Sequence, residues 1–339
     1  MKKKDTNQIQ YKSLEILKNK KNKIINRITK NNFLKKENLE KNFVIIKVEY
    51  ANLNYKDLLM AKGHGGLVKK YPHIPGIDAS GTIYFSNSKK FKKKEKVFVI
   101  AHPLGVDTNG SFSEYIVVPD HWVEKLPKNL KPKEIMMIGT SGFTAVKAFN
   151  KSLKTILKYK KKPVLVTGGT GNVGMFIIFL LTKVGVKIET ITSKKENNII
   201  LKKMGVAKIY SLENFLKIPN FALLNEKYSV IFDNLGGDVI SICLKYLIKK
   251  GTLVSIGNIL GNISKINILP LILREVNILS VNAEYSTKRE RKNIFQVFKS
   301  IKLKNELFKR TRVISLKKVS KIMQLKIYNK KALRYIVKI

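Results

Sequence analysis

The fold class predicted for this chain is α/β, a doubly wound parallel sheet set within a β-rich domain. Three observations predict it. Residues 163–194 read as strand, glycine turn, helix and second strand. From about Lys133 onward, strand-like and helix-like runs alternate, the pattern of a parallel sheet covered on both faces. The first ~135 residues instead read as mostly β, with short alternating runs broken by turn residues.

Taken in order, Val44–Tyr50 alternates like a half-buried strand, and Gly81–Phe85 and Val97–Ala101 are strands split by a Ser/Asn/Lys turn. Gly110–Pro119 is another. Pro163–Thr167 is a short, apolar, β-branched run of the kind that fills a buried parallel strand. Met175–Val184 follows as an apolar helix and Val186–Thr192 as the next strand. Ser229–Asp233, a helix over Gly237–Lys249, and Thr252–Ile256 continue the alternation. Leu307–Ile339 returns to helix and strand and is expected to rejoin the first domain, leaving a cleft between two lobes.

Between the first of these parallel strands and its helix lies Gly168-Gly-Thr-Gly171-Asn-Val-Gly174. Gly169, Gly171 and Gly174 fit G-x-G-x-x-G in the strand-to-helix context that gives this spacing meaning. The first glycine is expected to turn the chain tightly. The second lets backbone N–H groups approach a pyrophosphate, and the third lets helix and strand pack closely. Dinucleotide binding is the expectation, with the helix start favouring the phosphates. The following strand ends Thr192-Ser193-Lys194-Lys195, where an NAD site usually places an Asp or Glu for the ribose 2′-hydroxyl. Two hydroxyls and an ammonium suit a 2′-phosphate, so NADPH is the expected cofactor. Glu189 lies too early in the strand to serve the ribose.

Composition bounds the rest. At 339 residues with 44% hydrophobic content, the chain has room for two domains and a large core. The longest apolar runs, such as Phe176–Leu181, are far too short to span a bilayer. No apolar stretch of the secretory kind follows Met1, and the single cysteine, Cys243, rules out an intrachain disulfide. Both features point to the cytoplasm. A net charge of +44 could indicate nucleic acid. The charge is overwhelmingly Lys, however, and is spread along the chain, whereas groove readers and single-strand binders lean on Arg and interleaved aromatics. No specific nucleic-acid partner and no membrane partner are expected. The runs Lys18–Lys23 and Lys89–Lys96 read as solvated loops or hairpin edges.

A β-rich part followed by a dinucleotide unit resembles the medium-chain dehydrogenase/reductases. The resemblance sharpens through Leu53-Asn-Tyr-Lys-Asp57, Tyr71-Pro-His-Ile-Pro-Gly-Ile-Asp78, Gly105–Gly110, Gly139–Ala145 and Pro270–Arg274, in one order and at family-like intervals. These look like the zinc-free branch that holds acrylyl-CoA reductases and quinone oxidoreductase-like proteins. What the resemblance implies is a GroES-like β-rich catalytic domain over residues 1–136 and 286–339, with a Rossmann NADP-binding domain over residues 137–285. It also implies a homo-oligomer, a dimer through the cofactor domain. The implied activity is NADPH-dependent reduction of the carbon–carbon double bond of an enoyl-CoA, acryloyl-CoA to propanoyl-CoA. NADPH:quinone or enone reduction is the alternative, and a basic, RNA-associated nucleotide-binding protein is the alternative from another class.

Site residues carry over one by one. Thr170, Gly171, Asn172 and Val173 are implied at the pyrophosphate, and Thr192, Ser193 and Lys194 at the 2′-phosphate. Asn258 is implied beside the nicotinamide ribose, with Ile278 and Asn329 as further cofactor contacts. Tyr55 is the candidate nearest the chemistry. A phenol there can pack against the cofactor, donate a hydrogen bond or relay a proton, and the sequence leaves packing and catalysis equally open. Asn54 and Asp57 read as turn and cap residues of the following helix, and Phe143 as core. No zinc site is expected: one cysteine and four histidines without ligand spacing cannot build the usual Cys/His/Glu set. Pro75-Gly76-Ile77-Asp78 also stands where a zinc enzyme carries Gly-His-Glu. The chain departs from the family at Asn172, which replaces a glycine and is expected to use left-handed backbone freedom. It departs again at Thr192-Ser193-Lys194, at Ser280–Ala283 and at Leu333-Arg334, which puts the acceptor in question.

Overall fold

The computed structural model describes residues 8–64, 66–219, 221–301, 306–324 and 334–339. The chain forms two units. One takes in the described residues up to Thr140 and those from Thr311 onward; the other runs from Ser141 to Arg310.

The first unit opens with strands β1 (Gln8–Lys18) and β2 (Ile24–Lys35), an antiparallel hairpin whose turn carries the Lys18–Lys23 run. Then come β3 (Phe43–Asn52), helix α1 (Tyr55–Ala61), β4 (Ala79–Ser86), β5 (Lys96–Val99), β6 (Tyr115–Pro119) and β7 (Glu124–Lys125). Helix α2 (Pro132–Lys158) is broken at Gly139, where the backbone leaves helical angles at φ 56° and ψ −168°. A Cβ at Gly139 would sit 2.6 Å from Asn52 Nδ2 and 2.9 Å from Asp78 Oδ2, so no larger residue fits this break.

The second unit continues with β8 (Val164–Thr167), α3 (Asn172–Val184), β9 (Ile188–Thr192), α4 (Asn198–Lys203) and β10 (Val206–Ser211). It proceeds through α5 (Leu212–Leu216), β11 (Tyr228–Asp233), α6 (Asp238–Lys245), β12 (Leu247–Ser255), α7 (Leu269–Arg274), β13 (Asn277–Ser280), α8 (Lys288–Ser300) and α9 (Glu306–Lys309). Back in the first unit are β14 (Thr311–Ser315), α10 (Leu316–Gln324) and β15 (Arg334–Lys338). The helix expected over Gly237–Lys249 is shorter, because Leu247 already pairs with Tyr228 across β11 and β12.

Six strands form the parallel sheet of the second unit in the order β10-β9-β8-β11-β12-β13. The apolar runs seen in the sequence fill it. Val164, Leu165 and Val166 are fully buried, as are Val230, Ile231 and Phe232, as expected for strands covered on both faces. Residues 286–301 and 306–310, expected with the β-rich domain, pack in this unit: Phe295 meets Phe143, and Phe308 meets Phe176, each with ring centroids 5.7 Å apart. In the first unit a mostly antiparallel sheet runs β14-β15-β3-β4-β5-β7, with β6 pairing β3. Its core is built from the alternating inward residues Val44, Ile46 and Val48 with Ile83, Val97, Ile116 and Val118. The α/β class and the doubly wound sheet are thus as the sequence predicts.

Candidate active site

In the strand order, β8 has β9 on one side and β11 on the other, so the connections run in opposite directions from it. Ligands in such sheets bind outside the carboxyl ends of the strands at this reversal. The glycine turn leaves β8 there. Gly168 makes the tight turn at φ +63°, a role the motif spacing gives to Gly169. Gly169 serves close packing: a Cβ on it would lie 2.0 Å from Thr190 Oγ1 on the neighbouring strand. Gly174 holds α3 against the turn, since its Cβ would lie 2.5 Å from Gly168 O. Gly171 is the cap of α3, and no side chain caps the helix start. A 13-residue helix thereby presents its positive end at the turn, the arrangement that holds a diphosphate. Asn172 is the first residue of α3 and has no positive φ, so it is tolerated as a helix-start residue; the expected left-handed role is corrected.

Thr170 and Thr192 meet at 2.9 Å between hydroxyls and join the glycine turn to the end of β9. The Lys194 N–H donates to Thr192 Oγ1 at 3.0 Å, folding the chain back so that exposed Ser193 and half-buried Lys194 follow at once. Burial depresses the Lys194 ammonium below the ordinary lysine value. An anion placed beside it restores that lost solvation. Arg310 donates to Asn197 Oδ1 at 2.6 Å, and Asn197 N–H donates to Lys194 O, which brings a second cation to this loop. Glu189 takes no part here. It is buried and accepts bonds from Lys227 Nζ (2.6 Å), Tyr210 (2.7 Å) and Tyr228 (2.8 Å).

Three residues the sequence reading did not single out complete this edge. Thr167 Oγ1 donates to Asp233 Oδ1 at 2.7 Å, and the Leu235 and Gly236 N–H groups donate to the same carboxylate. Asn234 donates through Nδ2 to Thr167 O at 2.8 Å, tying the ends of β8 and β11 together. Its Oδ1 is buried and accepts no hydrogen bond from the described residues. An acceptor left unpaired in such a place fits a ligand that brings a hydroxyl or amide donor. The signal was present as Asp-Asn-Leu-Gly-Gly after a strand, but the partners lie 66–67 residues away. Asn258 follows β12 on the same edge, exposed, and donates to Asn262 Oδ1. Ile278 stands apart in edge strand β13, opposite Leu253. Asn329 lies outside the described residues.

Tyr55 is half-buried at the first turn of α1, in the other unit. The helix start is fixed by Asp57, whose Oδ2 accepts from Asn54 N–H at 2.7 Å and whose Oδ1 accepts from Gly76 N–H at 3.0 Å. Asp78 accepts from Thr140 Oγ1 (2.5 Å), Thr140 N–H (3.0 Å) and Asn54 Nδ2 (3.0 Å). Both carboxyls are fully buried, so they shape the Tyr55 turn and the Pro75–Asp78 loop without facing solvent. Burial raises both, Asp57 to about 8. A carboxyl raised in the folded chain binds a proton that the unfolded chain has released. Its contribution is therefore complete below the unfolded value near 4 and is lost as pH rises to about 8. Thermal melts across pH 5–8.5 should show stability falling with pH, and Asp57→Asn should flatten that slope while lowering stability by roughly 1–3 kcal/mol through a mispaired N–H. Parallel curves for the two proteins would contradict this assignment.

Arg274, from a resemblance motif, and Arg334, from a segment that departs from the family, prove to be structural pins. Arg274 donates to the carbonyls of Leu224 (2.6 Å), Lys245 (2.8 Å) and Leu247 (3.0 Å). Arg334 is buried and donates to Met137 O and Ile138 O, carbonyls freed by the break at Gly139. His73 Nε2 bonds Gly105 O at 2.8 Å, and His102 stacks on Trp122 at 5.4 Å.

Two family descriptions match this chain, the alcohol dehydrogenase GroES-like domain over residues 40–128 and the zinc-binding dehydrogenase domain over residues 172–300. The chain belongs to the medium-chain dehydrogenase/reductase family of oxidoreductases. It is similar to YhfP of Bacillus subtilis, which carries a quinone oxidoreductase name, at 36% identity over 249 residues, 74% of this chain and 76% of that one. It is also similar to the acrylyl-CoA reductase AcuI of Ruegeria pomeroyi, at 31% over 240 residues, 71% of this chain and 73% of that one. Among solved structures, the Salmonella enterica yhdH oxidoreductase in complex with NADP matches with a TM-score of 0.87 at 25% identity, covering 97% of this chain and 99% of that one. YhfP with NAD bound matches with a TM-score of 0.87 at 31% identity, covering 98% and 100%. Among the described residues, the zinc named in the second description meets no fitting donor set. Cys243 is buried, and among the described residues no group of three or more His, Cys, Asp or Glu side chains is placed to hold a metal ion. No helix among those residues is long and apolar enough to cross a membrane.

Proposed function

We propose that this oxidoreductase uses NADPH to reduce the carbon–carbon double bond of an enoyl-CoA, with acryloyl-CoA to propanoyl-CoA as the first choice. The observation that carries the cofactor choice is the end of β9, where Thr192, Ser193 and half-buried Lys194 stand and the one carboxylate of that strand, Glu189, is consumed by its own partners. When bound, NADPH supplies a hydride to the β-carbon of the acceptor. The backbone from Thr170 to Val173 holds the diphosphate, and Thr192, Ser193 and Lys194 hold the 2′-phosphate. Asn258 and the unpaired Asn234 Oδ1 orient the nicotinamide end. Tyr55 is the residue proposed nearest the acceptor, packing or donating, and Ile278 and Asn329 are retained as outer cofactor contacts. Similarity to the acrylyl-CoA reductase AcuI supports the enoyl-CoA choice.

The greater identity to YhfP favours a second reading, NADPH:quinone or enone reduction. Steady-state NADPH oxidation separates the two. The first reading expects kcat/KM for acryloyl-CoA to exceed that for p-benzoquinone by at least ~10-fold, about 1.4 kcal/mol of transition-state preference. A faster quinone reaction overturns it.

A dimer is proposed through β13, the outermost strand of the parallel sheet. Among the described residues β13 pairs with β12 alone, Ile278 in it is 44% exposed, and in α7, which precedes it in the chain, Ile272 (62%) and Leu273 (57%) are exposed as well. An apolar sheet edge left open invites pairing, and a second copy related by a twofold axis closes it with the same surface. Light scattering should report a dimer, and Ile272→Asp with Leu273→Asp should give a folded monomer. A monomeric unaltered protein contradicts the proposal.

A further inference from the structure

Lys147 is a lysine out of place. It lies in α2 with only 6% of its side chain exposed, in a chain whose cations are mostly solvated. Its ammonium donates to Tyr285 O (2.6 Å), Ser286 Oγ (2.8 Å) and Asn282 O (2.9 Å), so all three of its hydrogens are used. Four residues on, Lys151 donates to Ser280 O at 2.9 Å, and buried Arg291 reaches Glu284 O at 3.4 Å while lying over the Phe143 ring. The carbonyls of 280, 282, 284 and 285 are therefore all drawn towards cations beneath them. Within the loop, Glu284 N–H donates to Asn282 Oδ1, and Ser286 Oγ donates to Ala283 O. The capping box of α8, built by Thr287 and Glu290, fixes the loop's far end.

This is a densely hydrogen-bonded loop without helix or strand, and it leaves Tyr285 84% exposed. Burying an ammonium is costly, and desolvation depresses Lys147 below the usual lysine range. The loop's position gives that cost a purpose. Strand β13 runs parallel to β12, so residues 281–286 leave from the same carboxyl edge as the glycine turn, Lys194, Asn234 and Asn258. Along that edge the order is 2′-phosphate loop after β9, diphosphate turn after β8, Asn258 after β12, then this loop. From β9 to β13 is four strand spacings, ~19 Å. On the NADPH reading, which puts the nicotinamide ribose at Asn258, the loop is the next station beyond it, on the side open to the hydride acceptor.

We propose that Lys147 is a positioning residue that holds Asn282–Ser286 as a preformed wall, and that Tyr285 is the aromatic face this wall presents to a flat, conjugated acceptor. The proposal rests on the NADPH reading and names a determinant of acceptor binding within it. A preformed aromatic surface binds without first being ordered, and it stacks on a planar enone, quinone or enoyl thioester.

The test compares Lys147→Met and Tyr285→Ala with the unaltered protein by amide hydrogen exchange, NADPH titration and steady-state kinetics with p-benzoquinone and crotonyl-CoA. Lys147→Met should speed exchange at residues 282–286 by ~10-fold or more, raise the KM of the better acceptor ~10-fold, and leave the NADPH Kd within ~2-fold. Tyr285→Ala should raise the same KM without altering exchange, and this exposed residue also serves if Lys147→Met fails to fold. Faster exchange with an unchanged KM, or an unchanged KM in Tyr285→Ala, overturns the proposal and leaves the cofactor reading intact. Failure of the unaltered protein to bind NADPH overturns the cofactor reading instead.

Discussion

Replacing Gly174 by alanine is expected to cost the protein most of its NADPH affinity. The added methyl would sit 2.5 Å from the carbonyl oxygen of Gly168 and 3.0 Å from the Cα of Gly169, and these are backbone atoms that cannot swing aside. Either α3 withdraws from the turn or the turn opens, and both move N–H groups away from the diphosphate. Overpacking of this kind costs roughly 1–3 kcal/mol. That corresponds to a Tm lower by roughly 3–10 °C and, where the strain is relieved on the phosphate side, a Kd raised ~10-fold to 100-fold. Calorimetric titration and a thermal melt read both quantities. An unchanged NADPH Kd in a folded Gly174→Ala protein would separate the turn from the cofactor and contradict the assignment.

Lys194→Glu carries the second large effect, and it is selective. Lys194 is half-buried, and burial depresses its ammonium while the neighbouring Glu196 charge raises it. Reversal sets a carboxylate against the 2′-phosphate and should cost on the order of 1–3 kcal/mol, a ~5-fold to 150-fold rise in the NADPH KM. NADH lacks that phosphate and should be spared. Equal losses for both nucleotides would place the 2′-phosphate elsewhere, with Arg310 and its Asn197 contact the next candidate on the same loop.

Features encoded locally were legible in the sequence, and features made by distant partners were not. The strand–turn–helix from Val164 to Val184 could be read because a buried strand, the glycines and an apolar helix are properties of consecutive residues. Which glycine takes the left-handed turn was not legible. The motif spacing is the same whether Gly168 or Gly169 does so, and only the approach of Thr190 from the next strand decides it. Thr167, Asp233 and Asn234 escaped notice because their bonds span 66–67 residues. Lys147 was hidden differently: among 67 Lys and Arg residues, nothing in the sequence marks which lysine will be buried. The long hairpin β1–β2 also went unread, since its polar, lysine-rich strands show little alternation, although its turn does hold the lysine run expected in a solvated loop.

Arg274 and Arg334 carry a related lesson. Arg274 closes one of the motifs that carry the family resemblance and Arg334 stands where the chain departs from a family pair, and both donate to backbone carbonyls of their own unit. A motif fixed by a folding requirement looks in sequence like one fixed by chemistry. Asp57 and Asp78 are similar, two carboxyls beside the Tyr55 turn that are sealed from solvent and bonded to backbone and side-chain donors.

The most direct measurement is a titration of the purified protein with NADPH, NADH and adenosine 2′,5′-bisphosphate. The account predicts saturable one-site binding of NADPH, at least ~10-fold weaker binding of NADH, and competition by the bisphosphate that Lys194→Glu abolishes. Equal affinity for NADPH and NADH, or no binding of either, would contradict it.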